Sequence, residues 1–166
     1  MFRNRWWISI LLIILLLGGC SGEKPIKETP TSTEGLIAQT INLSTGTSLV
    51  QGGKWRDVVF TVDSSWKYVN IEGWFHASGG AQNDIEVFIC DDTTFSDWES
   101  GRKVTPIYNT GRKTIGEIDL NLPEKWIKYH LVFSNIFANT TKYIQSQIDL
   151  KYYTIKPTTA DNRTSN

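Results

Sequence analysis

Residues 144–152, IQSQIDLKY, decide the fold class of this 166-residue chain. Small or apolar side chains stand at every second position of this stretch and alternate with polar ones. Successive side chains of a β-strand point to opposite faces, so the pattern predicts a strand with one face in a core and the other towards water.

The same alternation recurs along the rest of the chain. It is clearest in 69–75, 85–89 and 127–133, and further strands are predicted over 36–43, 55–62, 105–109 and 114–122. Turn-forming glycine, serine, threonine, aspartate and proline residues separate these stretches, and no window shows a sustained helical apolar stripe. Eight or nine short strands in this order predict an all-β fold, a two-layer antiparallel β-sandwich or jelly roll.

The chain begins with a different pattern, in which Arg3 and Arg5 precede an apolar run over 6–17 that ends in LGGC (17–20). As a helix the run would rise roughly 18 Å, short of the ~30 Å hydrocarbon core of a membrane. This favours a secretory signal over an uncleaved anchor. LGGC resembles a bacterial lipobox, which implies cleavage before Cys20 and acylation of its thiol; an ordinary cleaved signal is the alternative. Two or more acyl chains hold a protein stably on a membrane.

The chain is therefore predicted to have four segments. These are a lipoprotein signal peptide (1–19), the lipidated Cys20 with a flexible tether (20–35), the β-sandwich (36–155) and a disordered tail (156–166). Tether and tail are rich in polar residues, threonine above all, and contain too few apolar side chains to offset their ordering entropy. The predicted location is the extracytoplasmic side of the cell membrane or outer membrane.

The charge balance limits the expected partners, and the cysteine content limits the expected disulfides. Loss of the signal removes two of the 17 basic residues and none of the 17 acidic ones, so the mature chain carries a slight acidic excess. That balance argues against a nucleic-acid partner. With Cys20 lipidated, Cys90 has no cysteine to pair with and is expected to be a small buried hydrophobe.

Two motifs resemble GOLD domains, the lumenal β-sandwich modules of the p24 cargo receptors. The first combines 71–77 (IEGWFHA) with 83–89 (NDIEVFI), and the second is 129–144 (YHLVFSNIFANTTKYI). The resemblance implies a sandwich that binds proteins or lipids. It does not imply vesicle trafficking, because the p24 disulfide (whose second cysteine would fall at Val132), coiled coil, membrane span and sorting tail are missing. From its position, Asn135 is expected to bond the backbone of the turn that follows it.

No motif predicts catalysis or a cofactor. Asp91, Asp92 and Asp97 could offer oxygens to a cation such as Ca²⁺, but the Asp-x-Asp-x-Asp-Gly pattern is absent and solvated loop acids are the preferred interpretation. His76 and His130 are the only histidines, and both are predicted to face solvent. A Gly-x-Ser-x-Gly elbow and a catalytic cysteine signature are also absent, so the chain is predicted not to be an enzyme.

Exposed aromatic side chains are the remaining candidates for a binding site. If residues 69, 71, 73 and 75 face the core, Tyr68 and Trp74 face outwards, and Trp98 follows in an acidic loop. Such rings can stack on sugars or peptide side chains, unless Trp74 merely covers the sheet or is itself buried. The first hypothesis is a non-enzymatic, membrane-anchored lipoprotein whose sandwich binds an extracytoplasmic protein or envelope component. The alternatives are a carbohydrate-binding jelly roll and a structural lipoprotein without a specific ligand.

Overall fold

The computed structural model of the protein describes residues 35–125 and 127–156. This part contains eight strands and one helix, in the order β1 (Leu36–Val50), β2 (Trp55–Val62), β3 (Lys67–Ser78), β4 (Ile85–Asp91), α1 (Asp92–Glu99), β5 (Tyr108–Lys113), β6 (Ile115–Asn121), β7 (Ile127–Ser134) and β8 (Lys142–Ile155). Within it, no helix is long and apolar enough to span a membrane. The predicted signal peptide, Cys20 and nearly all of the predicted tether and tail lie outside the described residues.

The strands form two four-stranded antiparallel sheets. The front sheet has the order β1-β8-β3-β6 and the back sheet the order β2-β7-β4-β5. Alternate side chains of both sheets meet in one core, whose fully buried members include Ile71, Phe75, Ile85, Val87, Leu131, Phe133, Ile148 and Leu150. The prediction of a two-layer antiparallel β-sandwich is confirmed.

The longest strand pair joins the beginning and the end of the domain. β1 and β8 are in register from Leu36, opposite Ile155, to Val50, opposite Lys142, with one bulge after Asn42. Beyond the pair, the Lys156 amide donates to the Gly35 carbonyl at 2.8 Å. The prediction of a strand over 36–43 was too short, because the polar second half of β1 lies at a sheet edge where the apolar alternation is weak.

A glycine on β3 lets β3 and β8 of the front sheet approach each other closely. Gly73 has φ +150°, and a Cβ built there would lie 2.1 Å from the Gln147 carbonyl oxygen of β8. Two residues on, the ring of Phe75 occupies the space above Gly116 of β6, where a Cβ would lie 2.4 Å from the ring. Trp74 stands between these two inward positions and therefore points outwards from a tightly fixed strand.

Helix α1 was not predicted from sequence. The Asp91 carboxylate caps it by accepting from the Thr94 amide at 2.7 Å, and it ends where Gly101 (φ +78°) donates its amide to the Trp98 carbonyl. Only Phe95 and Trp98 give α1 an apolar side, too few for a recognisable stripe. They pack on the outer face of the back sheet against Phe88, Cys90 and Val132. Cys90 is fully buried there, as predicted.

The loop between β7 and β8 is held by Asn135, as predicted. The side chain is fully buried, and its Nδ2 donates to the carbonyl oxygens of Val50, Gln51 and Thr140 at 3.2, 3.1 and 2.8 Å. Asn135 therefore ties the turn after β7 to the end of β1.

Candidate binding surface

The outer face of the front sheet presents the predicted aromatic side chains of β3 to solvent. Trp74 is 41% exposed, Tyr68 is 67% exposed, and His76 is also exposed. Strand pairing places Trp74 in the middle of the sheet, opposite Gln147 of β8 on one side and Glu117 of β6 on the other. A ligand lying across the sheet would therefore meet the indole ring flanked by planar polar groups.

Hydrogen bonds fix the polar side chains beside Trp74. Thr45 Oγ1 donates to Gln147 Oε1 at 2.8 Å, Gln147 Nε2 donates to the Asp149 carboxylate at 3.1 Å, and Asn42 Nδ2 donates to the same carboxylate at 2.7 Å. Each carboxylate or amide oxygen can accept further hydrogen bonds. Their positions are set before any ligand arrives, which lowers the entropy cost of binding.

A second group of paired polar side chains lies on the same face. Asn70 Nδ2 donates to Asp119 at 2.9 Å and to Asn121 at 3.2 Å. Lys151 of β8 pairs with Glu72 of β3, and this hydrogen bond raises the pKa of Lys151 above its ordinary value. The polar character of the face therefore continues from Trp74 towards the beginning of β3.

Tyr68 stands at that end of the face on an unusual backbone. Its φ is +52°, a left-handed conformation that a residue with a side chain adopts only at a cost. The Glu124 carboxylate stabilises it by accepting from the Tyr68 amide at 2.8 Å and from Lys67 Nζ at 2.9 Å. These hydrogen bonds hold the pKa of Glu124 below its ordinary value. The Tyr68 ring itself is exposed beside this fixed backbone.

A third exposed aromatic residue, Tyr143, was not identified from sequence. It is 52% exposed and pairs with Ser78 at the other end of β3. At ~3.3 Å per residue, Tyr143 lies about 13 Å from Trp74 along the strands and Tyr68 about 20 Å from it in the other direction. The alternation of β8 gave a signal for Tyr143, but only the pairing of β3 with β8 shows that the rings share one face.

The structure places Trp98 on the opposite side of the molecule. It lies on α1, half-buried, with its ring 5.0 Å from the Phe88 ring and 5.3 Å from the Trp55 ring. Trp98 packs α1 onto the back sheet and does not lie on the same surface as Trp74. Trp98 is therefore not part of the candidate site.

The three acidic residues considered for a metal are each engaged elsewhere. Asp91 caps α1, Asp97 pairs with Arg102 at 2.6 Å, and Asp92 pairs with Lys128 and with His130. In the described part of the chain, no group of three or more histidine, cysteine or acidic side chains is arranged to hold a metal ion.

The prediction that His130 faces solvent was wrong, because α1 covers that face. His130 is 4% exposed and stacks on Phe95 with the ring centres 4.1 Å apart. Its Nδ1 lies 2.9 Å from Asp57 and its Nε2 lies 2.9 Å from Asp92. Both ring nitrogens of His130 are therefore engaged by carboxylates, one from β2 and one from α1.

The neighbouring thiol, that of Cys90, is held in its protonated form. Burial, together with the charges of Asp91 and Asp57, raises the pKa of Cys90 to about 12. The thiolate is the nucleophilic form of cysteine, and it is scarcely populated near neutral pH at such a value. The cluster around His130 therefore joins α1 to the back sheet.

Known proteins resemble this chain only distantly. No family model and no curated protein sequence matches the chain. Among 14 solved chains that match is the family 11 carbohydrate-binding module from Clostridium thermocellum, in complex with a β-1,3-1,4-mixed-linked tetrasaccharide. It is 15% identical over 70% of this chain and 84% of its own, with a TM-score of 0.27. A likeness this distant says nothing about what this chain binds.

Proposed function

We propose that this protein is a non-catalytic binding module whose front sheet holds a glycan of the cell envelope on its outer face. One observation carries the proposal: the exposed ring of Trp74 lies among side chains that hydrogen bonds already hold in place. The apolar C–H face of a sugar ring stacks on an indole, while its hydroxyl groups bond to planar amides and carboxylates beside it.

The length of the face supports a ligand of several units. Tyr68, Trp74 and Tyr143 stand along the strand direction over roughly 30 Å, at about 3.3 Å per residue. The side chains between them are mostly polar. An extended oligosaccharide could contact more than one ring and bond to the polar groups between them.

A protein partner is the second candidate. Leu49 and Ile115 are 49% and 65% exposed, and the GOLD-like motifs are also compatible with protein binding. However, protein interfaces usually have an apolar centre and a polar rim. Here the centre is polar apart from Trp74, and the exposed apolar residues lie at strand ends and on an edge strand. This arrangement of a polar centre and apolar margins favours a glycan as the ligand.

The N-terminal sequence supports a proposal for where in the cell this binding takes place. We propose that Cys20 is acylated and holds the module at a membrane, facing the extracytoplasmic side. A Cys20→Ser variant should keep its signal uncleaved and incorporate no radiolabelled palmitate. Normal processing and membrane retention of that variant would refute the lipid anchor and leave the proposed binding surface untouched.

A glycan array followed by calorimetry tests the binding surface. Trp74→Ala should weaken binding of the best array ligand at least tenfold, because base–aromatic stacking, a comparable contact, contributes about 1–3 kcal/mol. Trp55→Ala is a matched control, since Trp55 is 36% exposed but lies on the back sheet. It should bind like the wild type.

Two outcomes would count against the glycan. Equal losses in both tryptophan variants would show that the front face is not the site. A silent array, combined with a specific protein crosslinked at position 74, would favour the protein partner instead.

A further inference from the structure

A cavity at one end of the sandwich lies apart from the residues of the proposed glycan surface. It has a volume of about 220 Å³ and opens between the loop before β4, β5, and the loop before β8. Its lining includes Asp84, Arg112 and Lys142, together with Phe137 and Ala138. The charged groups come from three separate parts of the chain and meet only in the folded domain.

Lys142 is the unusual member of this group. Its side chain is 2% exposed, yet among the described residues its ammonium group has a single hydrogen-bond partner, Asp84 Oδ1, at 3.4 Å. Hydrogen bonds between charged groups are typically about 2.8 Å long, and an ammonium carries three donors. Burying a charged group with unused donors is costly, so Lys142 is suited to receive a further acceptor.

Asp84 cannot balance the charge of the cavity alone. Arg112 donates to Asp84 Oδ2 through Nε at 2.8 Å and lies 2.7 Å from it through Nη2, while Asp84 Oδ1 faces Lys142. Burial opposes ionisation of Asp84, but the hydrogen bonds and charge of Arg112, with a hydrogen bond from Lys142, hold its pKa below the ordinary value. Two cations therefore share one carboxylate, and one positive charge is left over.

We propose that this cavity binds a carboxylate group, with Lys142 Nζ as the principal donor and Arg112 as the second. A monoanion matches the single excess charge, whereas a phosphate dianion would exceed it. Phe137, over which the Arg112 guanidinium stacks at 4.1 Å, and Ala138 provide an apolar wall for the carbon next to the carboxylate.

The size of the cavity limits the ligand. Sites for drug-sized molecules are about 300–1,000 Å³, so this smaller cavity holds one acidic group with a short carbon body. The carboxyl terminus of a peptide and a uronic acid sugar share this chemistry.

NMR titration of the full mature chain in detergent micelles distinguishes these sources. The probes are N-acetylglycine for a peptide terminus and D-glucuronate for a uronic acid, with N-acetylglycinamide and D-glucuronamide as neutral counterparts. We expect one acid to saturate the backbone amide shifts of Ala138 and Thr140, which line the cavity, with a dissociation constant of about 1 mM, equivalent to about 4 kcal/mol. The more tightly bound acid identifies the source. Neither neutral counterpart, N-acetylglycinamide or D-glucuronamide, should saturate the shifts.

Variants tie the binding to the cavity. Arg112→Gln should weaken binding about tenfold, the usual effect of losing a hydrogen bond to a charged group. Lys113→Gln removes the same charge at the next, exposed position and should leave binding unchanged. Lys142→Met should abolish binding, but Arg112 is half-exposed, so its variant remains informative if Lys142→Met fails to fold.

Three results would overturn the proposal: neither acid saturating the shifts, the neutral amides binding as well as the acids, or equal affinities for Arg112→Gln and Lys113→Gln. None of them would affect the glycan surface, which shares no residue with this cavity.

Discussion

In both sheets, strand alternation points every second side chain outwards. The two outer faces differ in whether anything covers them. On the front sheet Trp74 stays 41% exposed among fixed polar groups, whereas on the back sheet α1 covers the strands and leaves His130 only 4% exposed. Alternation determines which face a side chain points to. What lies above that face determines whether the side chain meets solvent, and this difference separates an open surface from one that serves stability.

The largest expected effect would come from breaking the front sheet itself. Gly73→Ala would force a Cβ to within 2.1 Å of the Gln147 carbonyl oxygen, so β3 and β8 would have to separate. We expect the free energy of unfolding, measured by urea denaturation, to fall by about 4 kcal/mol.

Gly111→Ala is the matched control for this change. Gly111 also has a positive φ, +61°, but a Cβ there meets nothing within 4 Å. Gly111→Ala should lower the free energy of unfolding by only about 1 kcal/mol, the cost of a left-handed backbone for a residue with a side chain. Equal losses at the two positions would show that the close approach of β8 is not what requires glycine at Gly73.

Two tryptophans test the division of roles between the faces. Trp98→Ala removes the ring that packs α1 against Phe88, and should lower the free energy of unfolding by about 3 kcal/mol. Trp74→Ala should change it by less than about 0.5 kcal/mol, as expected for an exposed side chain. Thermal or urea unfolding checks both variants, and a larger loss for Trp74→Ala would reverse the assignment of the faces.

Replacing the two histidines should also affect stability differently on the two faces, but by a smaller amount. His130→Ala leaves Asp57 and Asp92 without their shared partner and should cost about 2 kcal/mol. His76→Ala, on the open front face, should be near neutral. Hydrogen exchange should show faster opening of α1 in His130→Ala alone; unchanged exchange there would mean that His130 does not hold the helix.

The smallest effect concerns acid sensitivity at the covered face. Hydrogen bonds from Lys128 and His130 hold the pKa of Asp92 below its ordinary value of 3.8. The stabilisation from Asp92 is therefore present above that value and is lost as pH falls through the lower pKa of the folded state. The difference in Tm between wild type and Asp92→Asn should shrink below pH 3.8, and it should also shrink in high salt, which screens exposed pairs.

Local pattern was enough to predict the sandwich and the outward direction of Trp74. Both depend on alternation within one strand, and the apolar residues of β3 and β8 were spaced regularly enough to show it. The role of Asn135 could also be predicted, because one of its bonds closes a turn only five residues long.

What could not be predicted depends on residues distant in sequence. Asn42 and Asp149 are 107 residues apart, and only the β1–β8 register brings them together. Lys142 and Asp84, 58 residues apart, meet where the first residue of β8 lies beside the loop before β4. Burial of His130 required α1, which is too short to show a helical apolar pattern. Register between distant strands is set by the whole sheet and leaves little trace in any single segment.

The long β1–β8 pair also determines how the domain responds to mechanical load. A force that pulls the chain at Gly35 acts along β1, parallel to a ladder that runs from Leu36 to Val50. In this shear geometry the hydrogen bonds of the ladder are loaded together, whereas a force across the strands would open them one pair at a time. If, as proposed, the chain is held on its N-terminal side while the front sheet binds a fixed ligand, the β1–β8 ladder is loaded in this shear geometry.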